Sequence, residues 1–147
     1  MKNFEHLTEE KLNNLGLLLL RVTMGTTMIL AHGVGKIASF PAQAAGFPDP
    51  LGIGSSLSML MAILAEVLCS LAIVLGIQVR LASAGLYLTM SIIFWVVHQN
   101  HPWDYKELSL VYGFVALALV FLGGGRYSID ALWSGYRKKK LTSVVFT

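Results

Sequence analysis

Four long apolar runs, separated by short polar segments, constrain the fold of this chain more than any other feature. They cover about residues Leu15–Ala38, Leu57–Ile77, Leu81–His98 and Leu108–Leu122. Each approaches the ~17–25 residues that a helix needs to cross ~30 Å of hydrocarbon. Only 13% of the residues are charged, about half the share found in soluble domains. The sequence therefore predicts an all-α integral membrane protein, an antiparallel four-helix bundle with no room for a second domain.

The positive charges are unevenly divided between the two sides of the predicted bundle. Lys36 and Lys106 lie on one side. Eight others lie on the opposite side: Lys2, Lys11, Arg80, Arg126, Arg137, Lys138, Lys139 and Lys140. Because lysine and arginine collect in cytoplasmic loops, we expect both termini in the cytoplasm. The chain then divides into a cytoplasmic segment (1–14), a four-span membrane domain (15–132) and a basic cytoplasmic tail (133–147). Topology and contact with lipid phosphates explain the charge of that tail, so no nucleic-acid partner is expected.

The first apolar run carries a polar stripe that lipid does not accommodate. On a helix, four of its residues fall within an arc of roughly 80°: Arg21, Gly25, His32 and Lys36. Charged side chains in a membrane face partner helices or a water-filled cavity and pair with one another. The simplest antiparallel register places Glu66, in the middle of the second run, within one turn of Arg21. We therefore expect an Arg21–Glu66 ion pair, which either fixes the register or lines a ligand or proton site.

A second group of ionisable side chains is predicted at the outer end of the bundle, because the first and third helices both lead outward. Its members are His32, Lys36, His98, His101 and Glu107. They predict a polar pocket in the outer leaflet, under an outer loop (Ala38–Ser55) that is either a lid or an ordinary connection. Hydrogen-bonded histidines at the interface are the simplest interpretation. Metal and haem ligation are weaker alternatives, and neither is expected.

Few kinds of redox chemistry are open to this chain on its own. Cys69 is its one cysteine, which excludes an internal disulfide, a CxxC pair and a cysteine-ligated iron–sulfur cluster. No Ser-His-Asp order, phosphate-binding loop or dinucleotide fingerprint is present. A redox reaction would need a borrowed cofactor, and a quinone fits best. The polar residues of the first two helices would donate hydrogen bonds to its carbonyls, and the apolar spans would hold its tail.

The order and spacing of several short motifs resemble the DoxX family of small bacterial inner-membrane proteins. The first helix carries R-x3-G-x6-HG-x2-K from Arg21 to Lys36, and Ala65-Glu66 follows in the second. A G-x3-R turn from Gly76, a glutamate at 107 and the ending GGGRYSID complete the pattern. The resemblance covers about residues 15–132. It implies a four-helix membrane bundle and a link to membrane redox chemistry, since relatives include a subunit of a thiosulfate:quinone oxidoreductase and partners of oxidative-stress enzymes.

These observations assign expected roles to twelve residues. Glu66 and His32 are the candidate catalytic residues. The candidate ligand-binding residues are Arg21, Lys36, His98, Glu107 and Tyr112. The expected structural residues are Gly25, Gly33, Gly76, Arg80 and Asp130.

Three functions compete at this point. The chain is a quinone-interacting subunit of a membrane oxidoreductase, a non-catalytic membrane anchor for soluble redox enzymes, or a proton-coupled transporter of a small solute. Besides membrane lipids, the expected partners are a redox enzyme subunit and a second copy of the chain, since the fourth helix is apolar all round.

Overall fold

The structure, a computed structural model, describes residues 2–135, with side chains from residue 8 onward, and consists mainly of four long helices, followed by a short helical stretch over residues 129–135. All four are long and apolar enough to cross a membrane: α1 (Lys2–Gly46, with Thr8–Gly46 as its candidate span), α2 (Ser55–Leu75), α3 (Val79–Val97) and α4 (Trp103–Leu122). No strand occurs among the described residues. The predicted all-α fold with four spanning helices is therefore confirmed. Of the basic tail predicted for 133–147, residues 136–147 lie outside the described part of the chain.

Helix α1 is longer than the sequence predicted. It begins at Lys2 without a break between the polar segment and the span, and it continues to Gly46. The prediction that Ala38–Ser55 forms a loop is therefore wrong, because only residues 47–54 connect α1 to α2. The alanines that follow Pro41 favour helix, and a proline removes only one backbone hydrogen bond near a helix end.

Each helix packs on the next along the chain, and α1 also contacts α4. Gly76 ends α2 with a φ of +77°, a conformation that glycine adopts without strain, and α3 begins at Val79. Gly123 ends α4, also with a positive φ, of +74°. We call the end of the bundle with the 47–54 connection and the 98–102 turn the loop end. The opposite end, with Gly76 and Gly123, is the terminus end.

The apolar core fills the part of the bundle between the terminus end and the middle. Its buried members are Met24, Met28, Ile73, Val79, Ala82, Leu86, Met90, Ala116 and Leu119. Many large apolar side chains lie outside this core, such as Leu81 and Phe121, which are 72% and 73% exposed. An apolar outer surface of this kind suits contact with lipid chains.

Arg21 stabilises the terminus end and does not contact Glu66. Its side chain is fully buried, and Nη1 donates to the carbonyl of Ile73 at 3.0 Å. Its Nη2 donates to the carbonyl of Tyr127 at 2.6 Å. The backbone N–H of Asp130 donates to the carbonyl of Gly76 at 3.1 Å beside it. Arg21 therefore joins α1 to the ends of α2 and α4, and the predicted Arg21–Glu66 ion pair is not formed.

The register between α1 and α2 explains why that pairing prediction is wrong. A register with Glu66 one turn from Arg21 requires Ser70 to be level with Arg21, but the Ser70 carbonyl lies against Gly25, one turn further along α1. A Cβ on Gly25 would lie only 2.8 Å from that carbonyl oxygen. The backbone of Glu66 lies beside Gly33, which is ~18 Å along the axis from Arg21 at 1.5 Å per residue. That distance exceeds the reach of an arginine side chain.

Candidate functional site

Three of the four long helices contain a segment of π geometry. The π segments are Ile29–Gly33 in α1, Leu64–Cys69 in α2 and Ile93–Val97 in α3. His32 and Glu66 lie within the first two, and His98 closes the third by donating its backbone N–H to the carbonyl of Ile93 at 2.9 Å. A π turn shifts the direction of the side chains that follow it and is frequent at functional sites. Here two of the predicted polar residues lie in π segments, and a third directly follows one.

Lys36 is the partner of Glu66. The Lys36 Nζ lies 2.6 Å from the Glu66 Oε2. The Glu66 side chain is 2% exposed, whereas the Lys36 side chain is 24% exposed. Gly33 permits this contact, because a Cβ there would lie 2.5 Å from the Val67 side chain and would separate α1 from α2. The two charges neutralise each other in a region where an isolated charge is costly.

A large cavity of about 250 Å³ lies on one side of the ion pair. Its polar lining includes Lys36, Glu66, Thr89 and His98. The rest of the wall is mainly apolar and comes from the 47–54 connection, α2 and α3: Phe47, Pro48, Pro50, Leu51, Ile53, Met61, Ala62, Ile92, Ile93 and Val97. An apolar cavity with a few convergent polar groups is the usual form of a small-molecule site.

A small cavity of about 150 Å³ lies on the other side of the same ion pair. It shares Lys36, Glu66, Ile93 and His98 with the large cavity. Its remaining lining is richer in polar side chains: Met28, His32, Met90, Tyr105, Leu108, Ser109 and Tyr112. The rings of His32 and Tyr112 meet edge to face, with centroids 5.8 Å apart. The ion pair and His98 therefore form part of the wall between two unlike cavities.

His98 contributes an unpaired polar atom to this wall. Its Nδ1 is buried and has no hydrogen-bond partner. Burial, with smaller contributions from His101 and Lys106, lowers the pKa of His98, so the imidazole is neutral at pH 7. A neutral imidazole has one donor and one acceptor nitrogen. His98 is thus able either to donate a hydrogen bond to a ligand group or to accept one from it.

The 47–54 connection covers the large cavity and is held in place by Asp49. The carboxylate accepts hydrogen bonds from the Ser58 hydroxyl at 2.7 Å and from the backbone N–H of Gly54 at 2.8 Å. A third comes from the N–H of Ile53 at 3.0 Å. These bonds, that of Ser58 foremost, hold the pKa of Asp49 below its usual value. Sequence reasoning missed Asp49, although Asp-Pro followed by glycines is a turn signal.

The structure brings together only some of the predicted site residues. His32, Lys36, Glu66, His98 and Tyr112 line the two cavities. Glu107 is exposed and lines neither of them. Arg21 is far from both, at the terminus end. Within residues 8–135, no three histidine, cysteine or carboxylate side chains come together as metal ligands.

Four of the five residues expected to be structural lie at close contacts near helix ends or between helices. Gly25 and Gly33 allow α1 to approach α2. A Cβ on Gly76 would collide with the Arg21 guanidinium and with Ser128. Arg80, at the start of α3, reaches the carbonyl of Phe121 near the end of α4 at 3.4 Å. The side chain of Asp130 is exposed, close enough to Arg21 to attract its charge.

The fold and the site define a small multi-pass membrane protein with an ionisable pocket between its helices. The DoxX family model matches residues 16–99. The chain therefore belongs to the DoxX family, as the motifs suggested, and the match includes Lys36, Glu66 and His98. It ends before α4, whereas the motif resemblance extended to about residue 132. No curated protein and no solved structure matches the chain.

Proposed function

We propose that the loop-end site binds a quinone and that the protein is a component of a membrane oxidoreductase system. The observation that carries this proposal is the position of the Lys36–Glu66 pair and of the unpaired His98 Nδ1 in the wall of an apolar cavity. We place the protein in the cytoplasmic membrane of a bacterium with both termini inside, because of its charge asymmetry. The loop end then faces outward.

The polar groups suit the head group of a quinone. The Lys36 ammonium has two further hydrogens besides the one donated to Glu66, and one of them would bind a ligand carbonyl. His98 would donate to, or accept from, the other end of the ring with its unpaired Nδ1. A bound quinone would supply two-electron, two-proton chemistry. Glu66 and His98 would hold or release protons beside it.

The apolar walls suit the tail of such a ligand. Met61 and Leu51 both line the large cavity, and they are 53% and 60% exposed on the outer surface of the protein. The cavity therefore borders the surface that contacts lipid in a membrane. A volume of about 250 Å³ holds a ring and the first part of a chain, so a longer tail would extend into the bilayer.

Two measurements on the purified protein test the proposal. Solvent extraction and absorbance should reveal quinone carried through gentle purification. In nanodiscs, a short-chain quinone should raise the melting temperature of the wild type. We expect His98→Phe and Lys36→Met to weaken quinone binding about tenfold each, the loss of roughly one hydrogen bond to a charged or buried group. Each shift is measured against the variant's own ligand-free melting temperature.

Glu107→Gln is the matched control, since this exposed carboxylate lies outside both cavities. Its quinone affinity should equal that of the wild type. If no quinone is extracted and none raises the melting temperature, the proposal fails. A non-catalytic membrane anchor would then be the better account.

A further inference from the structure

The two cavities differ in chemistry although they share a wall. The lining of the large cavity is mostly apolar, whereas two histidines, two tyrosines and Ser109 contribute to the small one. Only the small cavity touches His32 and Tyr112. One ligand would not exploit both environments equally, so the small cavity calls for a separate explanation.

The small cavity has the size and polarity to hold water. A volume of about 150 Å³ accommodates roughly five waters at ~30 Å³ each. A buried water needs two to four polar partners, and this lining offers imidazole, phenol, hydroxyl, ammonium and carboxylate groups. A dry cavity of this size is normally lined by apolar side chains only.

The small cavity reaches the surface at the loop end and is closed towards the terminus end. Tyr105 lines it and is 60% exposed, so the lining continues to the outside at the start of α4. Met28 and Met90 line the cavity on the core side and are 1% and 4% exposed. Beyond them lies the apolar core, with Ile73 and Leu86 fully buried.

We propose that the small cavity is a hydrated chamber that opens beside Tyr105 and connects the Lys36–Glu66 pair to the aqueous phase at the loop end only. The chamber gives the pair a path for proton exchange with that face, because a chain of waters hydrogen-bonded to His32, His98 and Tyr112 carries protons. This inference rests on the proposed function for its purpose, since quinone chemistry needs a source and a sink of protons. Its test needs no quinone.

Cysteine accessibility tests the chamber directly. The background variant is Cys69→Ala, which removes the one native thiol. Ser109→Cys and Tyr112→Cys place a thiol in the small cavity, and Ser83→Cys places one in the core, where the side chain is fully buried. Two exposed reference positions, Leu51→Cys and Glu9→Cys, show which face the reagent has reached. The probe is a membrane-impermeant quaternary ammonium methanethiosulfonate.

We expect both chamber cysteines to react whenever Leu51→Cys reacts, at least about tenfold faster than Ser83→Cys, because only a hydrated thiol ionises readily. Reagent confined to the face marked by Glu9→Cys should leave them unmodified. Two variants are used because Ser109 also lines a groove between α3 and α4, whereas Tyr112 does not. Labelling after denaturation confirms that every thiol is intact.

Rates for both chamber cysteines as low as that of Ser83→Cys would overturn the inference, and so would reaction from the terminus end. The result is separate from that of the quinone experiment. A labelled chamber in a protein that binds no quinone would leave the inference standing and remove the proposed function. A dry chamber in a protein that binds quinone would remove the inference and leave the proposed function standing.

Discussion

The Lys36–Glu66 ion pair should respond very differently to the loss of one partner or the other. Two unit charges 2.6 Å apart attract by roughly 6 kcal/mol at an effective dielectric constant of about 20. The lost hydration of both groups offsets much of that attraction. The outcome of a substitution therefore depends on how well the remaining charge is hydrated.

The exposures of the two side chains set the expected magnitudes. Lys36→Met leaves a carboxylate that is 2% exposed, and stranding a buried charge of this kind costs about 3–5 kcal/mol. Glu66→Gln leaves an ammonium on a side chain that is 24% exposed, which still reaches water, so we expect about 1–3 kcal/mol. The double variant should be more stable than the sum of the single losses predicts, by about 2 kcal/mol.

Equilibrium unfolding in mixed detergent micelles measures all four states of this double-mutant cycle. Glu107→Gln, an exposed carboxylate, should change the free energy of unfolding by less than about 0.5 kcal/mol. Strictly additive losses would refute the contact. A larger loss for Glu66→Gln than for Lys36→Met would refute the argument from unequal burial.

Three further substitutions test other parts of the structure. Gly33→Ala should lower the free energy of unfolding by about 1–3 kcal/mol, because the new methyl group pushes α1 away from α2. Gly35→Ala, which has nothing within 4 Å of the new Cβ, should not lower it. Equal losses for the two variants would contradict the close approach of α1 to α2 at Gly33. Asp49→Ala should speed amide hydrogen exchange in the 47–54 connection. Because folding lowers the pKa of Asp49, the protection of these amides in the wild type should be full above the usual aspartate pKa and be lost as the pH falls through the lowered pKa. Protection that does not depend on pH would contradict this. Arg21→Met should lower the free energy of unfolding by about 2–4 kcal/mol by removing two charged hydrogen bonds; Arg21→Lys should not restore it, because lysine lacks the planar fork that spans two carbonyls, and full recovery would count against that geometry.

The sequence predicted the features of the fold that depend on local pattern. Apolar runs of sufficient length located the four spans, and Gly76 and Gly123 indicated where α2 and α4 end. Helical spacing and the outward course of α1 and α3 were enough to predict that His32, Lys36 and His98 gather at one end. The charge asymmetry predicts the orientation in the membrane, which stays a prediction.

The pairing of charges depended on features that the sequence does not display. An offset of about two turns between α1 and α2 places Glu66 beside Gly33 and next to Lys36 rather than one turn from Arg21, and that offset depends on how side chains pack around Gly25 and Gly33. The π segments change side-chain directions without any motif that marks them. Glu107 was expected in the pocket because of its depth, but the face of α4 on which it lies is exposed.

Mapping the site of a photoreactive quinone tests the central claim most directly. An azido-quinone is photolysed with the protein in nanodiscs, and the labelled peptides are identified by mass spectrometry with and without excess unlabelled quinone. The account predicts saturable labelling of the 47–54 connection, of α2 near Met61 and of α3 near Ile92, which all line the large cavity, and loss of that labelling in Lys36→Met. Labelling confined to the outer surface of α4, or labelling that excess quinone does not reduce, would contradict it.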